Sequence, residues 1–260
     1  PFKPSVKKGH LIGRGANDMK SSIAAFVSAV STFLSKNKKF NGSISLLITG
    51  DEEGDAVNGT KKVVEYLKKR KERINFCLVG EPTNPNKLGE MIKIGRRGSL
   101  TGKLTILGVQ GHVAYPQRAN NPSTTLIKIL DELKNIRFDK GTKNFQPSNL
   151  EVTKLNVDNN ADNVIPNSAE ATFNIRYNDK HSSSSLKKKL NKIFSKITKK
   201  SKSKFKIEYR VSGEAFLTKP NTTTLMIQSI VKKITKIKPK LSTTGGTSDA
   251  RFIKNISPCL

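Results

Sequence analysis

Three acidic motifs stand where α/β proteins keep their chemistry. Gly50-Asp51-Glu52-Glu53-Gly54 directly follows the apolar run 43–49 (SISLLIT), and Gly80-Glu81-Pro82-Thr83 follows the run 74–79 (INFCLV). Both runs suit buried parallel strands, whose carboxyl ends face the ligand crevice of an open sheet. Upstream, Gly13-Arg14-Gly15-Ala16-Asn17-Asp18-Met19-Lys20 sets Asp18 at the mouth of a helix. Neighbouring carboxylates repel, and each raises the other's pKa unless a cation neutralises them. Carboxylates drawn from three segments to one place are suited to holding metal ions. Each motif alone has a plainer reading: a solvated Asp-Glu-Glu-Gly turn, or a helix cap at Asp18.

Two further stretches carry chemistry. In Gly108-Val109-Gln110-Gly111-His112-Val113-Ala114-Tyr115-Pro116 the glycines let backbone approach closely beside an imidazole and a phenol. Thr244-Gly245-Gly246-Thr247-Ser248-Asp249-Ala250-Arg251 offers free backbone N–H groups and hydroxyls for gripping a carboxylate or phosphate. Its bland alternative is an ordinary turn with a buried Asp249–Arg251 pair. His10 and His181 read as structural histidines.

The elements that must position these residues fall into two patterns. In the first hundred residues Ile23, Phe26, Val27, Val30, Phe33 and Leu34 recur at helical spacing, predicting a helix over about 19–36. Val63, Val64 and Leu67 mark a second helix between the two apolar runs, so strand, helix and strand imply a mainly parallel sheet. After Gly95-Arg96-Arg97-Gly98 the pattern changes. Strands are predicted at 100–109, 150–157, 169–177 and 205–211, with helices at 122–136 and from Ser182 onward. This β-α-β-β-α-β order suits an α+β sandwich of ferredoxin-like type. A helix at about 223–235 returns the chain to the first layer. The fold class is therefore α/β with an inserted α+β domain: 1–98 and 212–260 form the first domain, 99–211 the insert.

Composition narrows the function less than its size suggests. Across 260 residues, 48 Lys+Arg against 20 Asp+Glu give a formal net charge of +28. Such a charge invites a nucleic-acid reading. However, 38 of the 48 are Lys, while Arg is the residue that makes bidentate phosphate and base contacts. The Lys-rich 187–206 segment also carries Leu190, Ile193, Phe194 and Ile197 at core spacing. No nucleic acid and no membrane are expected as partners. No apolar stretch approaches the ~18–20 residues of a membrane span. Two cysteines, Cys77 and Cys259, are too few for a disulfide framework and suit a cytoplasmic setting. The chain begins at Pro1 rather than Met and is read as part of a longer protein.

Taken together, GRGANDMK (13–20), GDEEG (50–54), VGEPT (79–83), GRRGSLTGKL (95–104), GVQGHVAYP (108–116), NVIPN (163–167) and GGTSDARF (245–252) resemble the M20 family of dinuclear zinc amidohydrolases and peptidases. The resemblance covers the whole chain. The GRRGS and GHVAYP stretches are similar to the branch that hydrolyses N-succinyl-L,L-2,6-diaminopimelate in lysine biosynthesis. A deacylase of the acetylornithine type is the near alternative. The resemblance implies two Zn2+ per subunit, with Co2+ or Mn2+ as possible substitutes. Asp18 would bridge the ions, Glu53 would bind one and Glu81 the other. Glu52 would be the general base and acid, and His112 would reach a partner subunit's site to stabilise an oxyanion, which implies a homodimer through the insert. Arg96, Ser99, Tyr115, Asn163, Arg176, Gly246 and Thr247 would bind the small-molecule substrate. Asp162 stands where relatives often carry a neutral residue. Family members also have a zinc-binding His in an H-x-D segment before the Gly-Arg-Gly motif, and another beyond the Thr-Ser-Asp-Ala-Arg segment. Neither is matched here, so the 260 residues alone are expected to be inactive.

Overall fold

A computed structural model describes residues 2–260, which divide into two compact units. One gathers the chain up to Ile94 with Thr218–Leu241 and Ser248–Leu260. The other is Gly95–Leu217 with Ser242–Thr247. The second unit thus begins before and ends after the expected 99–211, and it takes residues 242–247 out of the expected 212–260 segment.

In the first unit β1 (Ser5–Lys7) and β2 (His10–Ile12) pair antiparallel across Lys8-Gly9, both at positive φ, the two-residue turn whose twist matches a hairpin. α1 (Ser21–Lys36) and α2 (Thr60–Lys69) form where the apolar spacing predicts them. β3 (Met91–Lys93) leads out of this unit. The run 43–49 corrects the sequence expectation. It forms no strand, and Ile44, Leu46, Leu47 and Ile48 stay 44–62% exposed. A continuous apolar strand is stable only with pairing on its edges and cover on its faces. Among the described residues nothing pairs with it. Residues 74–79 fare better: Cys77 bridges Cys259 in parallel, with Cys77 N–H donating to Pro258 O (3.0 Å) and Leu260 N–H to Cys77 O (3.1 Å). This pairing is parallel, as the expected sheet requires. α1, too, buries none of its residues.

The second unit opens with β4 (Gly95–Arg96), β5 (Gly98–Leu107) and the short β6 (Gly111–His112), followed by α3 (Pro122–Lys134). β7 (Asn149–Asn156), β8 (Val164–Ile165), β9 (Ser168–Tyr177), α4 (Ser183–Lys200), β10 (Lys204–Gly213) and β11 (Phe216–Leu217) complete it. The four long strands make one antiparallel sheet in the order β10-β5-β9-β7, the ferredoxin-like arrangement. Alternate residues of β9 are buried along its whole length, as a half-covered sheet requires. Phe173, Ile175, Tyr177, Leu100, Leu104 and Ile106 meet Leu126, Ile129 and Leu133 of α3 and Leu186, Leu190 and Phe194 of α4 in one core. Two glycines admit the large rings. A Cβ on Gly102 would meet the Phe173 ring at 2.3 Å, and one on Gly98 the Tyr177 ring at 2.2 Å. Ser182 caps α4 through a capping box with Ser185. The chain then returns to the first unit through α5 (Thr222–Thr235), β12 (Lys240–Ser242), whose Lys240 N–H donates to Glu90 O, and α6 (Ala250–Ile253). No helix among the described residues is long and apolar enough to cross a membrane.

Candidate active site

In the first unit the site is built around Glu52. Its neighbour Asp51 is committed to the loop: Oδ2 accepts the Asn58 N–H at 2.7 Å, and the N–H groups of 56–59 hold its carboxyl below the usual range. That turn delivers the chain to the start of α2 and leaves Glu52 half-buried and outside the loop's own hydrogen bonding. Burial pushes the Glu52 carboxyl upward, and the negative charges of Asp249, Glu53 and Asp18 push it further, while Arg251 opposes them. Asp249 and Arg251 are each 8% exposed and form an ion pair at 3.6 Å at the start of α6. This is the buried pair named as the bland reading of that motif. Asp18 lies exposed in the irregular turn Ala16–Lys20 ahead of α1. Glu81 is half-buried at the end of the 74–79 segment.

Glu53, Asp18 and Asp249 are thus close enough for Glu52 to feel their charge. Among the described residues, however, no three His, Cys, Asp or Glu side chains converge so as to hold a metal ion. The carboxylates present also lack the nitrogen or sulfur donors that zinc prefers, and His10, in β2, stands exposed in the hairpin. The described residues therefore do not by themselves fit a metal centre.

The second unit holds the remaining candidates in three groups. In the first, Arg96 is buried and donates from Nη1 to Thr244 O at 3.0 Å, fixing the Thr-Gly-Gly-Thr turn that carries Gly246 and Thr247. In the second, Ser99 of β5 lies opposite Arg176 of β9, which in turn lies opposite Asn149 of β7. Ser99 Oγ accepts from Asn174 Nδ2 at 3.1 Å, and Arg97 donates from Nη1 to Asn149 Oδ1 at 2.9 Å. Burial, with the Arg176 charge beside it, holds the Arg97 guanidinium below its usual range.

The third group is His112, Tyr115 and Asn163. His112 pairs with Val164 across β6 and β8, Val113 N–H donates to Asn163 O at 3.0 Å, and the His112 and Tyr115 rings lie 6.0 Å apart. His112 Nδ1 accepts the Ala114 N–H at 3.1 Å. Neutral His112 therefore carries its proton on Nε2, on an exposed ring, where it can donate to an anionic oxygen.

His181 is structural: its Nε2 lies 3.0 Å from Asp139 Oδ2. Asp249, Arg251, Arg97, Asn149 and Asn174 are polar residues near these groups that sequence reasoning left without a site role. Arg97 and Asp249 sit inside quoted motifs, whereas Asn174 is one polar position in an alternating strand and carries no local signal.

A half-buried carboxylate raised by burial and by the charge of three others is a group suited to proton transfer. The chain belongs to peptidase family M20/M25/M40, whose model matches residues 1–260; the family comprises metal-dependent hydrolases. It is 76% identical over its full length to succinyl-diaminopimelate desuccinylase of Pelagibacter ubique (strain HTCC1062), of which it spans 68%. It is 52% identical to the protein of that name from Parvibaculum lavamentivorans, matching over 99% of its own length and 65% of that protein. In fold it is similar to aminopeptidase PepT from Bacillus cereus, with a TM-score of 0.76 at 17% identity over 99% of this chain and 67% of that one. A Staphylococcus aureus tripeptidase gives 0.77 at 17% identity, again over 99% and 67% of the two chains.

Proposed function

We propose that these 260 residues form the larger part of an enzyme that hydrolyses the amide of N-succinyl-L,L-2,6-diaminopimelate to succinate and L,L-2,6-diaminopimelate. The observation that carries this is the 76% identity over the full chain to a succinyl-diaminopimelate desuccinylase, and it is supported by Glu52, whose partial burial and the charges of Asp249, Glu53 and Asp18 make it a better proton holder than a surface carboxylate. A general base must accept a proton from the attacking water and return it to the leaving amine, and a raised carboxyl pKa favours both. His112 Nε2–H would reach a partner subunit's site and donate to the oxyanion there. Arg96, Ser99, Arg176, Tyr115, Asn163, Gly246 and Thr247 would hold the carboxylates of the substrate, where guanidinium and hydroxyl donors are the natural partners.

The metal count that the resemblance implies, two zinc ions on Asp18, Glu53 and Glu81 with cobalt or manganese as substitutes, belongs to the longer enzyme. The described residues do not assemble that site, so the isolated chain is proposed to bind no stoichiometric zinc and to turn nothing over. A homodimer through the second unit is supported by its two edges. β10 presents Lys204, Lys206 and Arg210, whereas β7 offers Val152 and the 65% exposed Leu155, and an unpaired apolar edge invites a second copy. A cytoplasmic setting suits the two free thiols.

The test is a chimera in which residues 1–260 replace the matched 68% of the Pelagibacter protein. Loaded with zinc, it is expected to release succinate from N-succinyl-L,L-2,6-diaminopimelate and to act poorly on N-acetylornithine. A folded, zinc-loaded chimera that prefers the acetyl substrate, or acts on neither, refutes the assignment.

A further inference from the structure

The sequence contains two cysteines, 182 residues apart, and the fold makes them register partners: Cys77 and Cys259 face each other across the parallel bridge of the first unit. The pairing is anchored on both sides. Cys77 N–H donates to Pro258 O, Leu260 N–H to Cys77 O, and Val79 N–H to Leu260 O at 2.8–3.1 Å. Partners in paired strands lie about 5 Å apart and point to the same face. That separation is inside the window of about 4.4–6.8 Å between Cα atoms that a disulfide needs. Burial raises both thiols, and the neighbouring Cys77 helps lift Cys259 to about 11. Cys259 is buried, whereas Cys77 is half-buried and within reach of a small oxidant.

We propose that Cys77 and Cys259 form a reversible intramolecular disulfide, a modification site that staples residues 258–260 to the segment leading into Glu81. The oxidant is a hydroperoxide. The Cys77 thiolate attacks it, the O–O bond breaks, hydroxide leaves and Cys77 becomes a sulfenic acid. The Cys259 sulfur then attacks that sulfur. The S–O bond breaks, the S–S bond forms, and water leaves carrying the Cys259 proton. In sum, two thiols and one hydrogen peroxide give one disulfide and two waters. A thiol reductant reverses it. Because both groups are protonated near neutrality, the reaction is slow there and accelerates as pH rises. The bond would couple two segments of the first unit that carry site residues: 77–81, ending in Glu81, and 249–260, beginning with Asp249 and Arg251.

The test treats the 260-residue chain with hydrogen peroxide under native conditions, then alkylates free thiols in denaturant and maps peptides without reduction. The expected result is a fall from two alkylatable thiols to none, an intact mass lower by two hydrogens, and one peptide pair joining Cys77 to Cys259. Dithiothreitol restores both thiols, while Cys77→Ser and Cys259→Ser each lack the internal link. Two thiols still alkylated, Cys77 bearing oxygen while Cys259 stays alkylatable, or linkage only between separate chains each overturn the proposal. The wild-type peptide map decides the matter even if a serine variant fails to fold.

Discussion

Replacing Asp139 by Asn tests whether the second unit is pinned by one buried carboxylate. Its side chain is 5% exposed and accepts from Gly141 N (2.6 Å), Asn178 Nδ2 (2.6 Å), Ser148 N (3.3–3.4 Å) and His181 Nε2 (3.0 Å). Burial alone would raise this carboxyl, but the hydrogen bonds from Ser148, Gly141 and Asn178 outweigh it and hold the group at about 2 against an ordinary 3.8. By linkage that difference corresponds to roughly 2 kcal/mol of folding free energy. The folded pKa is the depressed one, so the contribution is complete above about pH 4 and is lost as pH falls towards about 2. The amide introduced by D139N would also turn a donor towards donors, bringing the total cost near neutrality to roughly 2–4 kcal/mol. Urea unfolding followed by amide exchange along β9 reads both quantities. The wild type should lose stability steeply between about pH 4 and pH 2, and D139N should start lower and show a shallower slope there. Equal slopes for the two proteins would refute the account, because the slope reports this carboxyl rather than general packing. The same network orders residues 146–149, and so the Asn149 that sits between Arg97 and Arg176.

Two further outcomes follow from the geometry. Gly102→Ala should cost roughly 1–3 kcal/mol, because its Cβ would meet the Phe173 ring at 2.3 Å. Pairing it with Phe173→Leu should recover part of that loss, measured as urea midpoints in a double-mutant cycle. In the zinc-loaded chimera, Glu52→Gln should lower kcat about 10²–10⁴-fold with KM nearly unchanged; near-normal kcat would remove Glu52 from proton transfer.

How far the sequence could be read depended on how local the information was. The second unit was legible strand by strand, because alternation in β9, the Ser182–Ser185 cap and the apolar stripe of α4 are each settled within one element. Its ends were not. Gly95–Arg96 and Phe216–Leu217 pair over only two residues each, too short to leave a periodic signal, so the unit starts four residues before the expected 99. In the first unit the run SISLLIT is written like a buried strand, yet strand is a state that neighbours confer, and among the described residues none pairs with it. The candidate site divides along the same line. Glu52 and Glu53 are adjacent in sequence and their mutual repulsion could be foreseen. That Asp249 supplies the largest charge effect on Glu52 could not, because it depends on α6 folding back across almost two hundred residues. Likewise Ser99, Asn174 and Arg176 become one polar face only through the register of β5 with β9, and a shift of β9 by one residue would turn Asn174 and Arg176 to the face opposite Ser99. The chemistry-bearing residue types are therefore visible in the chain itself, while the groups that tune them belong to the pairing.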